Sequence, residues 1–426
     1  MPYSARVMAK RKPKPSEVFQ TQATRQPRSF PPGSVLFLLS FAPLIWTIQN
    51  QVHGDVLHYA EWGKRLTEHA TPYVDFAFQY PPYILAWFYL PALVGSLQAF
   101  QVLFGVQLLV LDGAVKAMLL VEGAKWHKGR RFIVPFLVFM GAGLLQHYLY
   151  LKRFDLVPAA LTFLAVSFAT HDAFRSAGVM LAIGAATKLY PMLLVPVILV
   201  VAWRRGKADE FVLALLVALV PLALLSIWMP WWNFAALHEA RGLQVESLYA
   251  AALWLGHYAG GAAVWVPAKA SYEVQGGLAD TLLPIAKVIL VATTLASVAL
   301  ASWRAKDDAA RHPGRLARLC LLPLLAFVAF NFVLSPQYLI WLMGLVALAT
   351  LEAWTWPLIA ACVACALTPI IFPSPTYRSG LDLPRTIVLN LRNLALVASW
   401  IGLLVELILN RPLPEPDEGA SESTAA

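Results

Sequence analysis

The sequence predicts an all-α polytopic membrane protein of about twelve transmembrane helices, with interfacial helices in its first outer loop. Three observations carry that prediction. Of the 426 residues, 59% are hydrophobic and 13% charged, against about 45–50% and about 25% in soluble domains; mean hydropathy is +0.63. Apolar runs recur from residue 34 to residue 409, so a single membrane domain spans 34–409 between two tails. The net charge of +9 sits beside these runs and forms no soluble basic face, which makes it a topology signal and argues against a nucleic-acid partner. Cys320, Cys362 and Cys365 all lie in apolar stretches, which excludes a disulfide framework and a zinc ribbon.

The elements follow in order. Residues 1–33 hold Arg6, Lys10, Arg11, Lys12, Lys14, Arg25 and Arg28 against Glu17 alone, which predicts a disordered cytoplasmic tail. No cleavage site follows the first apolar run, so 34–50 is expected to remain as the first span. The polar stretch 51–82 is the first outer loop, with a surface helix from Asp55 to about His69. Lys125, Lys128, Arg130 and Arg131 belong inside, which demands an odd number of crossings after that loop. Residues 83–97 are therefore an interfacial or re-entrant piece, and 98–121 the second span. Spans at 132–150 and 155–170 follow, joined by an outer turn. The run 176–202 lies between basic residues at both ends, so it must cross twice, as two short helices meeting near Lys188–Pro191. A span at 209–230, a loop rich in Trp, Tyr and Gly to about 279, and spans at 280–302, 316–334, 338–351, 355–372 and 386–409 complete the domain, with an acidic inner tail at 410–426.

This threading gathers Asp55, Asp75, Gln79, Tyr80, Asp155, Lys188, Arg241, Gln244, Glu246, Gln337, Tyr338, Tyr377 and Arg392 on the outer side. Ionisable groups near hydrocarbon cost about 2.5–3.5 kcal/mol or more, so their accumulation predicts a water-accessible cavity with a task. Each also has a structural reading. Asp55 suits a helix N-cap or a general base at the membrane surface. Asp112 and Lys116, four residues apart, read as a structural ion pair. Lys188, in Thr187-Lys188-Leu189-Tyr190-Pro191, either binds an anion at a helix break or snorkels to the surface. His53 and His58 are five apart, poorly placed on one helical face, and no DxD occurs in an outer loop, so no metal is expected.

Taken in order, these pieces resemble the integral-membrane glycosyltransferases of the C superfold, most closely glycosyltransferase family 87 and its polyprenol-phosphate-mannose-dependent mannosyltransferases. The carrying residues are Asp55, Thr71-Pro72-Tyr73-Val74-Asp75, Gln79-Tyr80-Pro81-Pro82, Arg153-Phe154-Asp155, Lys188-Leu189-Tyr190-Pro191, the stretch 241–247, Ser335-Pro336-Gln337-Tyr338 and Arg392-Asn393. A departure is Gln79, where relatives commonly carry Glu before the YPP. The resemblance implies transfer of a hexose, mannose in the nearest relatives, from a polyprenyl-phosphate-linked donor to a glycolipid or glycan acceptor at the outer membrane face, with inversion and with no cofactor. It implies Asp55 as base, Lys188, Arg241 and Arg392 as phosphate ligands, and Asp75, Gln79, Tyr80, Asp155, Gln244, Glu246, Gln337 and Tyr338 as substrate contacts. The competing expectations are a polytopic transporter or lipid-linked-sugar flippase, which would place essential charges at mid-membrane in both halves, and an assembly subunit without a site.

Overall fold

The computed structural model describes residues 31–49, 54–127, 129–239, 241–268, 271–306 and 308–409. The predicted tails, apart from Pro31–Gly33, and His53 lie outside the described residues.

The first span is broken. Helices α1 (Pro31–Leu39) and α2 (Ala42–Gln49) replace the continuous helix expected at 34–50. Pro43 has no N–H for the Leu39 carbonyl, and the Ser40 hydroxyl donates to the Phe37 carbonyl at 2.7 Å. Surface helix α3 (Gly54–Thr67) follows where expected. After a loop come a 3₁₀ turn (Pro82–Ile84) and α4 (Leu85–Ala92). Eight residues give about 12 Å of helix, too little to cross. The helix instead lies against α3 at Gly63, where a Cβ would stand 2.5 Å from the Phe88 carbonyl oxygen.

Helix α5 (Leu97–Trp126) is capped by Ser96, whose hydroxyl accepts from the Ala99 amide. Asp112 and Lys116 pair on it at 2.6 Å, and the Tyr150 hydroxyl donates to Asp112 at 2.9 Å, so this buried pair is structural. Helices α6 (Val134–Leu145), α7 (His147–Tyr150), α8 (Leu156–Thr170) and α9 (Phe174–Thr187) follow. The run 176–202 divides where expected: Lys188 is extended (φ −161°, ψ 130°), followed by a 3₁₀ turn (Tyr190–Leu194) and α10 (Val195–Arg204). Pro191 lacks the N–H that would continue the ladder to Thr187.

Helix α11 (Ala208–Leu225) holds Pro221, and the Tyr83 hydroxyl enters its ladder beside that proline. It donates to the Ala218 carbonyl at 2.8 Å and accepts from the Leu222 amide at 3.1 Å, standing in for the direct bond between them. The next region contains α12 (Phe234–Glu239), β1 (Leu243–Gln244), α13 (Leu248–His257), β2 (Val264–Ala268) and β3 (Ser271–Gln275). The strands form a small antiparallel sheet of order β1-β3-β2, with Leu243 opposite Val274 and Val266 opposite Glu273. This sheet adds strand structure to an otherwise helical fold that the sequence predicts as all-α.

Helices α14 (Ala279–Arg304), α15 (Pro313–Ala329), α16 (Tyr338–Ala349), α17 (Trp356–Ile371) and α18 (Leu383–Leu409) complete the described chain. α15 and α16 are buried almost all round and form the centre of the bundle, as apolar helices without a polar face must. Among the described residues, α5, α11, α14 and α18 are long and apolar enough to cross a membrane, and shorter apolar helices surround them. The protein is an integral membrane protein.

Charged groups concentrate at the two ends of the bundle. One end joins the N-terminal ends of α3, α8 and α16 to the break after α9. The other carries Arg318 bound to Glu352 (3.0 Å) and Glu406 (2.7 Å), Glu122 with His171, and Arg205 with Asp172.

Candidate active site at the α3–α8–α16 end

Asp155 stands immediately before α8 and is 1% exposed. Its Oδ1 accepts from Lys188 Nζ at 2.6 Å and from Trp341 Nε1 at 2.8 Å. Lys188 reaches it from the extended residue that ends α9. Four rings surround the ammonium: Trp341 at 4.7 Å, Phe154 at 5.0 Å, Tyr338 at 5.3 Å and Tyr80 at 5.6 Å from Nζ to centroid. A buried ion pair survives desolvation only with good geometry and further partners, and here the indole N–H and the ring faces supply them. Trp341 is itself fixed, stacked between Tyr338 at 3.9 Å and Tyr190 at 4.2 Å.

Two residues before Asp155, Arg153 places Nη2 at 2.5 Å from Asp55 Oδ2. Asp55 lies in the first turn of α3, where the positive end of the helix favours a carboxylate. Its side chain is 25% exposed and that of Arg153 15%, so this pair is open to the outside. Arg153 Nε is buried with no hydrogen-bond partner, and a buried donor without an acceptor is costly unless a ligand or water completes it. Burial disfavours the Arg153 charge, but Asp55, with Tyr59 and Asp155, outweighs it and raises the pKa.

The first loop folds over both pairs. Tyr73, at φ +67°, donates its hydroxyl to the Tyr80 carbonyl at 2.5 Å. The Tyr80 ring meets Phe154 edge-on at 4.6 Å. Burial, with Asp155 nearby, pushes the Tyr80 hydroxyl well above its ordinary value, so it stays protonated. Gln79 Oε1 accepts from Arg241 Nη2 at 3.1 Å, which ties the first loop to the segment before β1. Next to Arg241, a cavity of about 190 Å³ opens between Gly242, Glu273 and Asp280.

A second group of the predicted residues gathers elsewhere. Glu246 and Arg392, both fully buried, pair at 2.6 Å. Arg392 Nη2 donates to the Glu246 carbonyl at 2.8 Å and Nε to Asn393 Oδ1 at 3.0 Å. The Tyr377 hydroxyl donates to Glu246 Oε1 at 2.6 Å, and Gln244 Oε1 accepts from the Glu246 amide at 3.2 Å. Each Arg392 nitrogen thus has a partner in a closed network. Asp75 is exposed in a turn and accepts from the Thr71 amide at 2.6 Å, apart from both groups. Gln337 is buried beside Tyr338, its Oε1 without a hydrogen-bond partner. Among the described residues, no three His, Cys, Asp or Glu stand together as a metal site.

The convergence of these loops and helices coincides with a sequence match. The model of glycosyltransferase family 87 matches residues 78–319, more than half of the chain. The chain belongs to glycosyltransferase family 87. It is therefore a membrane glycosyltransferase, using a sugar donor and an acceptor. Among curated proteins the comparison finds no match.

The family 87 match includes Gln79, Tyr80, Asp155, Lys188, Arg241, Gln244 and Glu246, whereas Asp55, Asp75, Gln337, Tyr338 and Arg392 fall beyond its limits. The structure brings Asp55, Gln79, Tyr80, Asp155, Lys188, Arg241 and Tyr338 together. It adds Arg153, Phe154 and Trp341, which were not among the expected contacts. Arg153 and Phe154 stand in the quoted Arg153-Phe154-Asp155 tripeptide, and Trp341 lies three residues after Tyr338 on one helix face, so both signals were present in the sequence.

Proposed function

We propose that the chain moves a hexose, with mannose the favoured sugar, from a polyprenyl-phosphate donor to an acceptor hydroxyl at the outer membrane face, inverting the anomeric centre. The observation that carries this reading is the convergence of two ion pairs, Asp55–Arg153 and Asp155–Lys188, beneath one aromatic wall. In this reading about twelve crossings, broken helices included, keep both termini cytoplasmic and the site outside, as positive-inside placement of the basic loops requires. The architecture is then that of the C superfold.

The chemistry divides between the two pairs. Asp55 accepts the acceptor's hydroxyl proton as its oxygen attacks the anomeric carbon. The bond from that carbon to the phosphate oxygen breaks, and its electrons leave with the phosphate. Phosphate is a good leaving group, so the protein's task is to activate the acceptor and to hold the departing charge. Arg153 fixes the base. Lys188 and Arg241 meet the phosphate, for the Asp155 bond occupies one of three Lys188 donors and the Gln79 bond one of five on Arg241. The N-terminal ends of α8 and α16 meet through Asp155 and Trp341, and helix N-termini favour an anion. Tyr80, Tyr338 and Gln337 face the sugar, and the cavity beside Arg241 suits a glycolipid or glycan acceptor. Gln244, Glu246 and Arg392 hold the loop that carries Arg241, and Asp75 shapes the first loop.

A transporter or flippase would need charges along a path between the two faces. The buried Asp112–Lys116 pair within α5 is closed by Tyr150, which favours the transferase. The deciding experiment is transfer of radiolabelled sugar from polyprenyl-phosphate sugars to membrane lipid extracts by the purified chain, beside Asp55→Asn of equal folding. Transfer by the wild type and none by the variant supports the reading, and the accepted donor names the sugar. Equal transfer by both removes Asp55 from catalysis. No transfer by either, across broadly sampled donors and acceptors, overturns the reading in favour of transport.

A further inference from the structure

At the opposite end of the bundle, α10 and α14 finish side by side, and a small cavity of about 30 Å³ lies between their ends. Among the described residues its wall carries Arg204, Arg205, Lys306 and Arg311 with Val201, Ala305 and Ala310. A single water needs about 10–15 Å³, so the space accommodates polar atoms beyond one water.

Arg205 is the informative residue. Its side chain is only 9% exposed. Nη1 donates to the Ala169 carbonyl at 3.0 Å and also pairs with Asp172, whereas Nη2 is buried with no hydrogen-bond partner. Topology alone requires basic residues near a membrane surface, but it requires neither a cavity among them nor a buried guanidinium nitrogen without an acceptor. Asp172 answers one side of the Arg205 guanidinium, and the ends of α10 and α14 each contribute about half a negative charge. Trp203 and Trp303, both exposed, immediately precede Arg204 and Arg304. Exposed tryptophans at helix ends mark the headgroup level of a bilayer, so the cavity opens where lipid phosphates lie.

We propose that this cavity binds the phosphate of an anionic lipid headgroup, on the membrane surface opposite the candidate active site. Arg205 Nη2 donates to a phosphate oxygen from within, and Arg204 and Lys306 neutralise the charge from the rim. The assignment does not rest on the transfer reaction.

The test is native mass spectrometry of the purified full chain in neutral detergent, titrated with phosphatidylglycerol, phosphatidylcholine or inorganic phosphate. Arg205→Gln also breaks the contact with Asp172, so the diagnostic variant is Arg204→Gln with Lys306→Gln, two exposed side chains. The expected result is saturable retention of phosphatidylglycerol, little retention of phosphatidylcholine, and about thirtyfold weaker binding in the double variant, from roughly 1 kcal/mol for each cation near the surface. Equal retention of both lipids, or an unchanged double variant, overturns the site. Displacement of the lipid by millimolar phosphate overturns the lipid as its source and leaves a soluble anion as the ligand.

Discussion

Two ion pairs at the same end of the bundle, Lys188–Asp155 and Arg392–Glu246, have the same 2.6 Å separation and opposite surroundings. Arg392 has a partner for each of its nitrogens, and both members are fully buried. Lys188 keeps 15% of its side chain exposed, stands in a ring of aromatic faces, and neighbours the more open Asp55–Arg153 pair. A closed network fixes geometry, whereas an open one keeps donors for a ligand. Distance alone does not separate framework from chemistry; the remaining hydrogen-bonding capacity does.

That contrast yields predictions of decreasing size. Asp55→Asn should lower sugar transfer by about 10²–10⁴-fold, the usual contribution of general base catalysis, with thermal stability in detergent near that of the wild type. A comparable loss of stability would move Asp55 into the framework class. Arg392→Met should do the reverse. Leaving Glu246 buried and unpaired costs about 3–5 kcal/mol, read as a lower unfolding midpoint and lost expression, while any folded fraction should keep its donor preference. Arg241→Gln removes one charged contact, worth about 1.5–3 kcal/mol, so the apparent KM for the polyprenyl-phosphate donor should rise about ten- to a hundredfold at unchanged stability. A change in kcat alone would place Arg241 away from the ground-state phosphate.

A further effect lies away from both networks and serves as their reference. His312 accepts from the Gly314 amide through Nδ1 at 3.2 Å at the start of α15. Burial, with the positive neighbours His127 and Arg318, lowers its pKa from 6.5 to about 4. The folded state therefore favours neutral His312, and its contribution is complete above about pH 6.5 and declines as pH falls toward 4. The unfolding midpoint should fall over that window, with a shallower fall in His312→Asn.

How much of this was legible in the sequence depends on the range of the interactions. The short helix after residue 82 and the break at Lys188 follow from the count of crossings between basic clusters, and the Asp112–Lys116 pair from four-residue spacing. The break at Ser40–Phe41 was equally local, marked by Pro43, yet the apolar run around it masked the signal. The sheet was not legible, because β1 is too short to show alternation and pairs with β3, which lies beyond an intervening helix. Nor was the division of these charges into two networks. Glu246 and Arg392 are 146 positions apart, and nothing near either one specifies the other. Arg241 and Glu246 look like one motif, but the chain turns into β1 between them and sends them to different networks.

Tyr83 gives the fold a mechanical linkage. It stands three residues after Tyr80, and the α11 ladder that its hydroxyl splices leads into the segment carrying Arg241. The stretch from Gln79 to Tyr83 and the chain from α11 to Arg241 are thus joined twice: at the site through Gln79, and further back through a phenol wedged beside Pro221. Two attachments make a closed linkage of the two arms, in which neither can swing without loading the other.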